Sequence, residues 1–236
     1  AVINHQSPLA LYNGMIHPVA PYGLRGFLWY QGESDADPKR SGDYEAMLRA
    51  LIKDWRTRWA DPSLSFLIVQ LPVFKEEGFV PIRAAQDTVS RDPGNGLVVT
   101  LDVGDKADIH PRNKQPVGER LAALALADVY GKKVPAHSPR ATSAEARDGA
   151  VHVTFACDDG ATLVLKESAD GSGFEVAGAD GEFVPAQARV DDKVVIVTSS
   201  DVAQPKFVRY AWRGVPAVTL FDSNDLPAAP FSLEVH

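Results

Sequence analysis

Up to about Tyr130, short apolar runs alternate with amphipathic stretches, and the alternation predicts an architecture. Leu9, Tyr12, Met15, Ile16 and Val19 recur at steps of three and four, so residues 8–20 read as a helix with one apolar face. Gly26-Phe27-Leu28-Trp29-Tyr30 is short and wholly apolar, the pattern of a strand covered on both faces. A long helix is predicted from Asp43 to Trp59. Its buried stripe is Tyr44, Met47, Leu48, Leu51, Ile52, Trp55 and Trp59, with Asp43 placed to cap it. Phe66 to Leu71 reads as a second strand, residues 81–91 as a third helix and Leu97 to Leu101 as a third strand. A last helix runs from Gln115 to Tyr130 through Val117, Leu121, Leu124, Ala125 and Val129, and Gly131 stops it.

Strands and helices in this order imply a parallel sheet covered on both faces. Three strands make about half of a doubly wound α/β sheet and are few for independent stability, so further strands are expected upstream of Ala1. The first residues, Ala1-Val2-Ile3-Asn4-His5, agree with that expectation, having no initiator Met, no basic n-region and no apolar h-region. After Gly131 the pattern changes. Pro135, His137, Ser138 and Pro139 form a linker. Short alternating runs follow at Val151–Phe155, Thr162–Leu165, Val194–Val197 and Phe207–Trp212, punctuated by Gly160, Gly171, Gly173, Gly178 and Gly181. Residues 1–134 are therefore expected to be α/β, and residues 135–236 a small antiparallel β domain of six or seven strands.

Composition narrows the function. A net charge of −7 leaves no basic stripe to displace counterions from a nucleic-acid backbone, so no nucleic-acid partner is expected. No apolar run approaches the roughly 18–20 residues that span a bilayer, so no membrane partner is expected either. The single cysteine, Cys157, cannot form an internal disulfide and reads as a structural thiol. His5, His17, His137, His152 and His236 are scattered, with no two on one helix face, and no metal or other cofactor is expected.

Ligands of an open parallel sheet sit outside the carboxyl ends of its strands. Two loops of unusual polar content leave such ends. Tyr30-Gln31-Gly32-Glu33-Ser34-Asp35 follows the first strand, and Asp102-Val103-Gly104-Asp105-Lys106-Ala107-Asp108-Ile109-His110-Pro111 follows the third. Gln31, Glu33, Asp108 and His110 are thus expected at one edge. A histidine beside a carboxylate can serve as general base. A Gln-Gly loop can offer an amide and a backbone N–H to a developing oxyanion. Asp102, Asp105 and Asp108 recur every three residues but lack the ligand pattern of a calcium site; capping and histidine orientation suit them better. Among the four tryptophans, Trp29 adjoins the first loop and is the one considered as a sugar platform.

Trp29-Tyr30-Gln31-Gly32-Glu33-Ser34, together with Asp108-Ile109-His110-Pro111-Arg112-Asn113-Lys114-Gln115, resembles the sialate O-acetylesterase family of SGNH hydrolases. Leu11-Tyr12-Asn13-Gly14-Met15-Ile16, Leu51-Ile52-Lys53-Asp54-Trp55-Arg56, Gln115 through Gly131, Val208-Arg209-Tyr210-Ala211-Trp212 and Leu226-Pro227-Ala228-Ala229-Pro230-Phe231 are similar to it as well. The resemblance implies a flavodoxin-like SGNH fold and a serine hydrolase acting on O-acetyl esters of carbohydrates, either sialic acid or plant-wall polysaccharide. It implies His110 as base, Asp108 as the acid that orients it, and Gln31, Gly32 and Glu33 as the site loop near the oxyanion. Periplasmic or secreted location is implied too. Two departures matter. The usual spacing is Asp-x-x-His, but Ala107 stands three before His110, so Asp108 and Asp105 both remain candidates. The family's Gly-Gln-Ser-Asn nucleophile block occurs nowhere in the chain; His5-Gln6-Ser7-Pro8 is its nearest echo, and Ser34 lies in the supporting loop. The serine is therefore expected on an N-terminal polypeptide of the same precursor, bound as a partner. The competing expectations are a glycosidase pairing Glu33 with Asp105 or Asp108, and a non-catalytic carbohydrate-binding fragment.

Overall fold

Parallel strands cannot be joined by a tight turn, so each pair needs a crossover, and helices provide it here. The computed structural model describes residues 4, 7–20 and 22–236. Strand β1 (Gly26–Trp29), helix α1 (Tyr44–Arg58), strand β2 (Ser65–Val69), helix α2 (Phe79–Ser90) and strand β3 (Asn95–Val98) alternate along the chain. The strands lie in the order β1-β2-β3, all parallel. Phe27, Trp29, Phe66, Ile68 and Leu97 share one face, where Leu48 and Ile52 of α1 and Ile82 and Val89 of α2 complete the core. Leu67 and Val98 point the other way, onto Leu124 of α3 (Gln115–Asp128). Gly131, at φ 63°, ends the last turn, and the Lys132 N–H closes it on the Leu126 carbonyl at 2.8 Å.

The α/β part differs from the sequence expectation in three places. Asp43 makes no side-chain cap; it closes a 3₁₀ turn, Ser41–Asp43, that runs straight into α1. Met47 faces outward while Tyr44, Leu48 and Ile52 are buried. The stretch expected as an amphipathic helix is a π-helical turn, Tyr12–Ile16, followed by a 3₁₀ turn, His17–Val19. Leu9, Leu11, Met15 and Val19 are exposed there, so the apolar stripe has no core beneath it among the described residues. The expectations at Ala1–Ile3, His5 and Gln6 lie outside the described residues.

β1 is an edge strand among the described residues, paired with β2 alone. Leu28 stands in register with Leu67 on the α3 face but remains 63% exposed, because α3 packs against β2 and β3. The strand's apolar pattern thus exceeds the cover it receives.

Beyond α3 the chain forms ten short antiparallel strands instead of six or seven. β4 (Arg140–Arg147), β5 (Ala150–Ala156), β9 (Gln187–Asp191) and β10 (Val194–Thr198) form one sheet in the order β4-β5-β10-β9. β7 (Phe174–Ala177), β8 (Val184–Pro185), β11 (Phe207–Tyr210) and β13 (Phe231–Glu234) form a second, ordered β13-β11-β7-β8. β6 (Leu163–Leu165) pairs with β12 (Leu220–Asp222). Val153, Phe155, Phe174, Val208, Tyr210 and Phe231 fill the space between, and this core is continuous with that of α1 and α2.

His137, in the linker, clamps the two parts at the amino end of β3. Its Nδ1 lies 2.6 Å from Asp158 Oδ1 and its Nε2 2.8 Å from Asp128 Oδ1 at the end of α3. Asp158 also accepts the Ala136 and His137 N–H groups at 2.7 and 3.0 Å. The hydrogen bond to Asp128, with that to Asp158 behind it, pushes the imidazole from its ordinary 6.5 up to about 9. A raised folded-state value means the clamp is fully present below the unfolded value and is lost as pH rises through the folded one. Its contribution should therefore decline between about pH 6.5 and 9. Urea midpoints at about pH 6 and about pH 10 should differ less for His137→Gln than for the wild type; equal differences would remove the clamp's role.

Candidate active site

Three loops leave the carboxyl ends of the parallel strands, and each is fixed by backbone hydrogen bonds before any side chain is free for chemistry. After β1, the Gln31 carbonyl accepts the Tyr44 hydroxyl at 2.8 Å and Gln86 Nε2 at 2.9 Å. The Gln31 amide is held as well: Nε2 donates to Asp35 Oδ2 at 2.6 Å, and Oε1 accepts Tyr44 at 3.2 Å. Gly32 follows at φ 153°, where a Cβ would lie 2.8 Å from Ile82 Cγ2 and 3.2 Å from Leu71 Cδ1. Only glycine fits that approach. Glu33 opens a 3₁₀ turn to Asp35 and is half-buried, and its carboxylate makes no hydrogen bond with the described residues. Its charge, after burial, pushes the Tyr30 hydroxyl up to about 12.

The loop after β3 is built on its own carboxylates. Asp102 takes a bidentate pair from Arg120 of α3 at 2.7 and 2.6 Å, and Arg120 also caps the Val99 carbonyl at 2.9 Å. Asp105 Oδ1 accepts the Ala107 and Asp108 N–H groups at 2.8 and 3.2 Å. Asp108 Oδ1 accepts the His110 N–H at 2.8 Å. Ile109 packs on the core and Pro111 is buried, so the residue between them is turned outward. That residue is His110. Its ring is exposed and makes no hydrogen bond with the described residues, so neither Asp105 nor Asp108 holds the imidazole here. The capping expected of the three aspartates is what Asp105 and Asp108 do, while Asp102 serves an ion pair.

The two loops meet. Lys114 Nζ, at the start of α3, donates to the Tyr30 hydroxyl at 3.3 Å and sits 4.7 Å from the centre of its ring. Gly104 presses on Pro72 and Val73 of the β2–α2 loop, where a Cβ would come within 2.7 Å of both side chains. Trp29 stands edge-on to Trp55, with ring centres 5.9 Å apart, inside an aromatic cluster with Phe27 and Trp59. It is partly buried and packs against the core. No group of three or more His, Cys, Asp or Glu among the described residues could hold a metal ion.

The sequence reading passed over Arg83, which holds this edge to the β part. It is 1% exposed and donates to the carbonyls of Leu71 (3.0 Å), Pro72 (2.6 Å), Arg213 (2.7 Å) and Gly214 (3.0 Å). Burial lowers its pKa to about 10, against the pull of Glu77, so it stays charged at neutral pH. Glu77 accepts the Gly214 N–H at 3.2 Å, and Gly214 accepts the Phe74 N–H at 3.1 Å. The signal was present, because Arg83 and Gln86 fall on the same helix face as Phe79, Ile82 and Val89.

With this geometry in view, residues 3–127 match a family model described as carbohydrate esterase, sialic acid-specific acetylesterase. The chain belongs to that carbohydrate esterase family. Among curated relatives, the mouse sialate O-acetylesterase is 28% identical over 260 residues, covering 95% of this chain and 47% of that protein. The human sialate O-acetylesterase is also 28% identical, over 256 residues, covering 94% of this chain and 48% of that protein. A crystal structure of a carbohydrate acetylesterase from Xanthomonas citri superposes with a TM-score of 0.88 at 37% identity, covering 94% of this chain and 53% of that one. The chain thus spans about half the length of these relatives.

Arg83→Met leaves four buried carbonyls without their donor and should lower the unfolding free energy by about 3–5 kcal/mol. Arg83→Lys should recover less than half of that, since one ammonium cannot reproduce a planar fork. Urea denaturation of both variants checks this, and a lysine variant as stable as wild type would refute it.

Proposed function

We propose that this chain supplies the base and the oxyanion loop for hydrolysis of O-acetyl esters on carbohydrates, by a Ser-His-Asp mechanism whose serine lies on a partner polypeptide. The observation that carries the reading is the Tyr30–Lys114 contact, which joins the two motif loops at one sheet edge in a member of a carbohydrate esterase family. In this reading His110 takes the proton as the serine oxygen attacks the acetyl carbonyl, and returns it to the departing sugar hydroxyl. Water then repeats the cycle on the acetyl-enzyme, releasing acetate. The Gly32 N–H, free of any hydrogen bond among the described residues, donates to the oxyanion. Gln31 positions it, since its carbonyl and amide are already engaged by Tyr44, Gln86 and Asp35. Asp108 orients His110 through the hydrogen bond its carboxylate already accepts from the His110 N–H.

The partner is proposed on two grounds. No Gly-Gln-Ser-Asn block occurs in the sequence, and the outer edge of β1, unpaired among the described residues, lies beside the exposed Leu28. A segment carrying the serine would pair there. Periplasmic or secreted location belongs to the same proposal; no helix among the described residues is long and apolar enough to cross a membrane.

In the complete enzyme, His110→Ala should lower acetyl-ester turnover by about 100-fold or more while the fold persists by circular dichroism. Asp108→Asn should cost more turnover than Asp105→Asn, and the reverse ranking would pass the orienting role to Asp105. Co-expressed with the upstream polypeptide of its precursor, the chain should co-purify with it, and Leu28→Asp should abolish the association. If this chain alone hydrolyses acetyl esters, the partner idea fails and Ser34 becomes the first nucleophile to test.

A further inference from the structure

A groove of about 400 Å³ runs between the turn after β11 and the loop that carries His110. Lys106 of that loop lines it together with Asp170, Ser172, Trp212 and Arg213. We infer that this groove binds a sugar unit next to the acetylated one, so that the substrate is an oligosaccharide or polysaccharide rather than a single sugar. The inference rests on the esterase reading, and goes beyond it by fixing where a longer glycan would lie.

The groove wall is held in an unfavourable backbone. Ala211 ends β11 at φ 51°, a left-handed conformation that costs a non-glycine residue on the order of 1 kcal/mol or more. It is buried, and its N–H is tied to the Gly173 carbonyl at 3.0 Å. Gly173, at φ 77°, leaves room for the returning chain, since a Cβ there would lie 2.5 Å from the Ala217 carbonyl oxygen. The result turns Trp212 and Arg213 out of the strand. The Arg213 and Gly214 carbonyls are then pinned by Arg83, which also holds the β2–α2 loop. Groove and site loops therefore form one fixed surface.

The lining suits a hydroxylated ring. An indole packs against the C–H face of a pyranose, while its hydroxyls both donate and accept. Arg213 is already paired with the buried Glu175, which itself binds Arg209 at 2.8 Å. The Lys106 ammonium and the Asp170 carboxylate make no side-chain hydrogen bond with the described residues, so one donor and one acceptor stand ready. Lys106 belongs to the loop that also carries His110, so the groove borders that loop. The volume falls within the roughly 300–1,000 Å³ of small-ligand sites.

The test compares kcat/KM of the complete enzyme, this chain with its serine segment, on O-acetylated xylo-oligosaccharide and O-acetylated sialyllactose, each beside its acetylated monosaccharide. In one of the two series the oligosaccharide should be preferred, and Trp212→Ala and Lys106→Ala should each cut that preference by about tenfold, chiefly through KM. Val164→Ala, at an exposed residue that does not line the groove, should keep it. Equal treatment of single and linked sugars by the wild type, or a preference unchanged in both groove variants, overturns the inference. If the wild type cleaves no ester at all, the esterase reading fails, and tryptophan-fluorescence titration with the two non-acetylated oligosaccharides judges the groove separately. Saturable binding lost in Lys106→Ala would uphold it as a glycan site, and absence of binding would refute it.

Discussion

A single buried guanidinium sets the geometry on which the rest depends. Among the described residues Arg83 has no carboxylate partner within hydrogen-bond reach and spends its donors on four backbone carbonyls, two from the β2–α2 loop and two from the turn after β11. A charge removed from water is costly unless its donors are met, and here they are met only when the α/β part and the β part are docked. Gly104 then sets the His110 loop on Pro72 and Val73, and Gln86 ties Leu71 to the Gln31 carbonyl. Three loops and one β turn are thus registered to one side chain.

Around that anchor, polar groups divide into those that shape and those left over for chemistry. Asp102, Asp105 and Asp108 carry the charge density expected of a functional loop, yet all three are engaged by Arg120 or by backbone N–H groups. Gln31 is engaged as well. The His110 ring, the Glu33 carboxylate and the Gly32 N–H make no hydrogen bond with the described residues, and they lie on the two loops that Tyr30 and Lys114 hold together. A site of this kind has little reorganisation left to do on binding, because the satisfied bonds already fix the backbone that carries the free ones.

Much of this was legible in the sequence because it depends on local periodicity. The three parallel strands, the helices between them and the two polar loops at their carboxyl ends follow from apolar runs and turn residues alone. What was not legible depends on partners distant in sequence. His137 looked isolated because Asp128 and Asp158 lie 9 and 21 residues away. Arg83 looked like an ordinary helix residue because two of its acceptors lie 130 and 131 residues on. The groove position of Trp212 was not legible because it depends on the left-handed Ala211 before it. Asp43 has the right residue type for a cap, but the 3₁₀ turn before it leaves no place for one.

The sheet is unevenly finished. Around β3 both faces are closed, by α2 and α3, and the linker residue Ala136 is buried beside them. Around β1 one face is closed by the aromatic cluster of Phe27, Trp55 and Trp59, while the other shows Leu28 beside a strand edge that is unpaired among the described residues. Solvent-exposed edges in natural sheets usually carry charge, proline or a bulge. Gly26-Phe27-Leu28-Trp29 has none of these, so its sequence suits an interior strand better than the position it occupies. The same strand delivers Gln31 and Gly32 to the proposed centre. The unpaired edge of β1 among the described residues and the loop that carries Gly32 therefore belong to one strand, so the demands of packing and of the proposed chemistry fall on the same edge.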